Sequence, residues 1–254
     1  VINRDAEVDR RKFYFDDIRL RHRALPELNL EEVDTSTTFL GRKLSFPLLI
    51  SCMTGGDHSL VRRINRHLAE AAEACGVAMG VGSQRVMFKT SKARESFALR
   101  RQAPTALLFA NLGAVQHNHG FGLQECRAAV EVLEADALVL HLNPLQEAVQ
   151  PEGDTCFAGL ADKIGAIAQA LPKPVIVKEV GAGLSVEDVQ LLLPRGVRMF
   201  DVAGSGGTSW SRIEHHRQVG RARNDLGLLF QDWGLPTPRA LWELRGCRPE
   251  ATLI

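Results

Sequence analysis

The sequence has 254 residues, 45% of them hydrophobic and 24% charged, with 22 Gly and 11 Pro. That excludes a disordered, collagenous or coiled-coil chain and matches the size of one (β/α)8 barrel. Thirty-one Lys and Arg oppose 30 Asp and Glu, for a net charge of +1, so no global field draws nucleic acid or anionic lipid and any anion site must be local.

No run approaches the roughly 20 apolar residues of a membrane span, and the Arg- and Asp-rich start lacks an apolar signal core. The expectation is a cytoplasmic chain with no membrane or nucleic-acid partner. Five cysteines, widely spaced and without a C-x-x-C pair, argue against a disulfide framework and a structural zinc site, and for reduced, mostly buried thiols.

A polar leader and cap, residues 1–45, precedes βα repeats in 46–254, all within a single domain. The first strand runs Phe46 to Cys52 and ends in Met53-Thr54-Gly55-Gly56, where two glycines admit a ligand close to the backbone; a plain βα turn reads the same. Gly55-Gly56-Asp57 is the expected N-cap of a helix that turns Leu60, Ile64 and Leu68 to one face and Arg62, Arg63 and Glu70 elsewhere. Strand two, Val77 to Val81, leads into Gly82-Ser83-Gln84-Arg85, a hydroxyl, an amide and a guanidinium that suit a phosphate or a surface ion pair. Strand three, Ala106 to Asn111, ends in an amide able to meet a heteroaromatic edge.

Strand four, Ala137 to Leu142, opens the richest cluster, His141-Leu142-Asn143-Pro144-Leu145-Gln146-Glu147. His141 and Asn143 share a strand face, and one carboxylate, Glu147, suffices as a Mg²⁺ ligand if a diphosphate completes the shell; a satisfied buried histidine with a capping loop reads the same. Strand five, Pro174 to Val180, carries Lys178 between apolar neighbours, so its ammonium must meet an anion, an electron-rich ring or a carbonyl. Glu179, on the opposite face, reads as a structural partner. Strand six, Val197 to Val202, runs into Gly204-Ser205-Gly206-Gly207-Thr208-Ser209-Trp210, a nest for phosphate or a ring carbonyl that is not a P-loop because no Lys follows the glycines. Trp233 to Arg248 reads as loop plus helix, and Ala251 to Ile254 as the start of a seventh strand.

Parallel, doubly covered strands at βα spacing make the chain α/β. The first βα turn lacks G-x-G-x-x-G, and polar residues close nearly every strand, so a TIM (β/α)8 barrel is expected, incomplete at the C-terminus in the chain as given.

Together these strings, followed by Asp232-Trp233-Gly234, resemble the type 2, flavin-dependent isopentenyl diphosphate isomerase family, in family order and from about Phe15 onward. The resemblance implies FMN, Mg²⁺ and NADPH as the reductant of FMN. It also implies a homo-oligomer of four or more chains and a 1,3 proton shift between isopentenyl and dimethylallyl diphosphate in isoprenoid biosynthesis. Residue by residue, it places Met53, Thr54, Gly55, Ser83, Asn111, Lys178 and Thr208 at FMN. Arg11, Lys12, Ser83, Gln84, Arg85, His141, Asn143 and Gln146 fall at the substrate, with Glu147 at the metal. Lys178, His141 and Gln146 are implied in catalysis, Lys178 by stabilising negative charge on reduced flavin. Family members continue into a further glycine-rich loop and an eighth strand that grip the FMN phosphate.

Three other readings compete. A 2-hydroxy-acid oxidase barrel would need His and Arg around a carboxylate, a lyase would use Lys178 as a Schiff base, and an inactive barrel would serve only as a binding scaffold.

Overall fold

The computed structural model describes residues 5–10, 14–218, 224–247 and 251–254. Arg11 and Lys12 lie outside them. The chain divides into two compact units, one of Arg19–Leu112 and Gln124–Val139, the other of Val1–Ile18, Gly113–Leu123 and Leu140–Ile254.

The first unit opens with an antiparallel hairpin, β1 (Thr37–Phe39) and β2 (Arg42–Leu44), inside the stretch expected to be leader. Only three residues per strand carry it, too few for alternation to show in the sequence. Leu40 and Gly41 make the turn, both at positive φ. Phe39 packs edge-on against Phe109, with ring centroids 5.9 Å apart.

The strands β3 (Leu49–Ile50), β4 (Ala78–Gly80) and β5 (Leu108–Gly113) follow as parallel neighbours. They are joined by α1 (Ser59–Cys75) and by short 3-10 turns; α2 (Leu123–Leu133) then leads to β6 (Ala137–His141), next to β5 in the sheet. Asp136 fixes the start of β6 by accepting from the Arg100 guanidinium at 2.9 Å and the Leu108 N–H at 3.0 Å. β4 and β5 are buried at every residue, as a parallel strand covered on both faces should be.

Two expectations about α1 are corrected. Its N-cap is His58, whose Nδ1 accepts the Leu60 N–H at 3.1 Å, while the Asp57 carboxylate accepts instead from Arg62 and Thr90. Its buried face carries Asn65, Ala69 and Ala72, and Leu60 and Ile64 are exposed. Small side chains let the helix axis approach its neighbours closely, so the inward stripe is the small one, not the one with the largest apolar residues.

In the second unit the end of β6 passes into α3 (Pro144–Val149) and α4 (Leu160–Ala170). β7 (Val175–Lys178), α5 (Val186–Leu192) and β8 (Met199–Asp201) come next. Three helices, α6 (Trp210–Arg217), α7 (Leu226–Leu229) and α8 (Thr237–Cys247), precede β9 (Thr252–Leu253). β7, β8 and β9 are parallel and neighbour one another in chain order. A strand, a helix and the next parallel strand, repeated, is the βα succession of a barrel. The core of this unit is Ile164, Val177, Val189, Phe200, Val202 and Leu244, all essentially inaccessible.

Candidate active site

The end of β6 builds the densest polar cluster of the second unit. Asn143 caps α3 and Pro144 occupies its first turn, where a missing N–H does no harm. The Asn143 amide donates to Gln146 Oε1 at 3.2 Å and Glu147 Oε1 at 2.8 Å. Glu147 is buried and also accepts the Asp154 N–H at 2.8 Å and Gln150 Nε2 at 3.3 Å. Gln146 donates to Glu214 at 2.8 Å, and Arg217 donates to Glu214 in turn at 2.5 Å. Asn143 is 4% exposed, yet its Oδ1 accepts no hydrogen bond. A buried acceptor without a donor is costly, and among the described residues Asn143 Oδ1 shares this condition with Arg62 Nε, Asn65 Oδ1 and Gln102 Oε1. His141, half-buried, stands beside Gly113, where an added Cβ would lie 3.1 Å from its Nε2.

Lys178 ends β7 and is 4% exposed. Its ammonium lies 3.5 Å from Asp201 Oδ2 and donates to the Glu179 carbonyl at 2.8 Å. Asp201 sits opposite it in the β7–β8 register; burial raises the Asp201 carboxyl above the usual range, with Lys178 pulling the other way. Glu179 turns its carboxylate back on its own chain and accepts the N–H groups of Val180, Gly181, Ala182 and Gly183. Burial nevertheless carries this carboxyl above its ordinary value against those four bonds.

β8 runs into the glycine-rich loop. Gly204 has no substitute there, because a Cβ would lie 2.6 Å from the Leu235 carbonyl oxygen and the Thr237 nitrogen. The loop, with Gln146, Glu179 and Trp233, lines a pocket. An apolar cavity of about 730 Å³ shares Leu145, Ala182 and Trp233 with it. Thr208 reaches the turn after β7, its carbonyl 3.6 Å from where a Gly181 Cβ would be.

The first unit has its own cluster of strand ends. Gly82 N–H donates to the Thr54 carbonyl at 2.7 Å, and the two loops touch so closely that a Cβ on Gly82 would lie 2.3 Å from the Gly55 nitrogen. Ser83 caps the turn that carries half-buried Arg85, and Met53 is 47% exposed. Gln84, expected at the substrate, is 0% exposed and serves as scaffold. Its Nε2 donates to the Ala129 carbonyl at 2.9 Å and its Oε1 accepts the Asn111 N–H at 3.0 Å. Asn111 is buried too, its amide on the Val81 carbonyl at 3.1 Å.

Sequence reasoning missed Glu214, Asp5 and the pairing of Lys178 with Asp201. Only the last left a trace, since both residues close neighbouring strands.

Among the described residues no group of three or more His, Cys, Asp or Glu is arranged to hold a metal, and no helix is long and apolar enough to cross a membrane. Residues 2–95 match the model of the FMN-dependent dehydrogenase family. Over 245 residues the chain is 62% identical to the isopentenyl-diphosphate delta-isomerase of Paracoccus zeaxanthinifaciens, covering 96% of this chain and 70% of that protein. The chain belongs to the FMN-dependent, type 2 isopentenyl-diphosphate delta-isomerase family. A second member, from Hydrogenovibrio crunogenus, is 56% identical over 250 residues, with 98% of this chain and 73% of that protein covered. The fold is shared more widely. A soluble mutant of the membrane-associated (S)-mandelate dehydrogenase from Pseudomonas putida superposes with a TM-score of 0.56 at 14% identity, over 94% of this chain and 83% of that one. This likeness of fold agrees with the barrel expected from the polar strand ends.

Proposed function

We propose that this chain interconverts isopentenyl and dimethylallyl diphosphate, using FMN held reduced by NADPH, and Mg²⁺. The observation that carries the reading is a buried ammonium, Lys178, closing an otherwise apolar strand in a chain 62% identical to an isopentenyl-diphosphate delta-isomerase.

The residues present fit both groups. A cation on an apolar strand beside a glycine-rich loop suits the negative charge of a reduced flavin ring, with Lys178 and Thr208 in contact with it and Met53, Thr54, Gly55, Ser83 and Asn111 as further flavin contacts. Glu147 with the orphan Asn143 Oδ1 is an all-oxygen donor set with one carboxylate, which suits Mg²⁺ completed by diphosphate oxygens and water. When bound, reduced FMN supplies an electron-rich ring able to give and take a proton at carbon.

The chain's own groups do the rest. Asp201 and the Glu179 carbonyl hold the Lys178 ammonium in place, so its charge is already positioned when negative charge develops nearby. Gln146, held at its Nε2 by Glu214 and at its Oε1 by Asn143, orients the substrate along with His141, Asn143 and Arg85. Glu147 holds the metal against the diphosphate. A homo-oligomer is the expected state, with Trp242 and Leu229 among the most exposed apolar side chains.

The test is incubation of isopentenyl diphosphate with the protein, FMN, Mg²⁺ and NADPH, followed by product analysis. Dimethylallyl diphosphate should form with many turnovers per NADPH. Oxidation of NADPH in step with product, or trapping of a carbonyl substrate on Lys178 by borohydride, would replace the reading with one of its rivals.

A further inference from the structure

Residues 5–10 lie along the glycine-rich loop as a short antiparallel strap. Asp9 stands opposite Thr208; Arg10 N–H donates to the Gly207 carbonyl at 3.1 Å and Ser209 N–H to the Val8 carbonyl at 2.8 Å. The two bonds that flank Thr208 therefore both come from the strap. Of its six residues only Val8 is buried, so burial contributes little to holding it and charged contacts must do so.

Those contacts lie at the two ends of the strap, the denser set on the Asp5 carboxylate. Asp5 accepts from Arg212 Nε at 2.6 Å and Nη2 at 3.0 Å, and its Oδ2 lies 2.5 Å from His216 Nε2. Arg212 and His216 belong to α6, the helix that begins where the loop ends. Arg212 is itself held by Gln231 at 2.6 Å. At the other end of the strap, Arg10 pairs with Asp232 through Nε at 2.9 Å and Nη2 at 3.2 Å. The loop needs such support: Ala203, just before it, has φ +35°, a region that L side chains rarely adopt.

We infer that Asp5 is a positioning residue: it anchors the strap to α6 and thereby holds Thr208 and its neighbours in the conformation that meets the flavin. This rests on the reading of the loop as a flavin contact. The Asp5 carboxylate is taken up by Arg212, His216 and the Glu7 N–H, and it acts through the two strap bonds.

The test compares the full chain with Asp5→Asn, which keeps shape and removes charge, and Asp5→Glu, which keeps charge. Hydrogen exchange without flavin reads the strap. In Asp5→Asn the Arg10 and Ser209 amides should exchange about tenfold faster while those of β7 and β8 keep their protection, and Asp5→Glu should restore most of it. Titration of FMN by fluorescence quenching reads the consequence, with Kd raised about tenfold in Asp5→Asn. Unchanged exchange at Arg10 and Ser209 overturns the inference, as does faster exchange everywhere, which would make Asp5 a general stability residue. Faster exchange confined to the loop with unchanged FMN affinity upholds the anchor and overturns the loop's role in flavin binding.

Discussion

Lys178 and Asp201 share one short stretch of low dielectric, and neither is tolerable there alone. Removing the cation leaves a buried carboxylate with the Ala203 N–H but no counter-charge. Lys178→Met is expected to lower unfolding stability by about 3–5 kcal/mol in denaturant titration, and Lys178→Met/Asp201→Asn to recover most of it. The pH dependence has a definite sign. Asp201 has its folded pKa raised by burial, so the folded state binds its proton more tightly than the unfolded state, and its contribution worsens as pH rises past the usual carboxylate range. The deficit of Lys178→Met should therefore grow from about pH 4 to pH 7 and shrink in acid. A deficit that shrank towards neutrality would contradict the pairing.

Cysteine chemistry is decided residue by residue as well. Burial pushes the Cys126 thiol up to about 12, whereas Cys75 and Cys156 are exposed. A thiol reagent near neutral pH should label Cys75 and Cys156 in the native chain, and Cys126 only after unfolding. Equal labelling rates at Cys126 and Cys75 would contradict the burial.

At the scale of elements, α1 shows how far periodicity reaches. The i, i+4 repeat of Leu60, Ile64 and Leu68 correctly indicates a helix, because spacing is local information. It indicates the wrong inward face, because the face is chosen by what lies opposite. Here that is the turn at Ser91–Ser96, whose Ser96 carbonyl accepts from Asn65 at 3.0 Å. Leu60→Ala is therefore expected to change stability by no more than about 0.5 kcal/mol, and Ala72→Leu to cost about 1–3 kcal/mol by overpacking, both read by chemical unfolding. The reverse ranking would restore the leucine stripe as the core face. Gly82 obeys the same logic on a shorter scale: with Thr54 and Gly55 backbone inside Cβ distance, Gly82→Ala must move main chain.

At the scale of the whole molecule, a cofactor that binds only the folded chain stabilises it. FMN at about a hundred times its Kd should add about 2.7 kcal/mol, which for a chain of this size is a rise in Tm of about 5–10 °C in a thermal melt. An unmoved melt would remove FMN from the reading.

Much of this molecule was legible in its residues alone. The strands β4 to β8, the polar groups at their ends, the loop from Gly204 to Ser209 and the different directions taken by the Lys178 and Glu179 side chains all follow from composition, alternation and spacing over fewer than about ten residues. What the sequence could not show is which distant groups meet. Gln84 looks like a ligand contact and is scaffold, because Ala129 and Asn111 claim its amide. Asp5 looks like a leader residue and is an anchor, because Arg212 lies 207 positions away and touches it. Local periodicity is set by backbone geometry within each segment, whereas the partner of a charge or an amide is set by chain closure over hundreds of residues, and only the tertiary structure performs that closure.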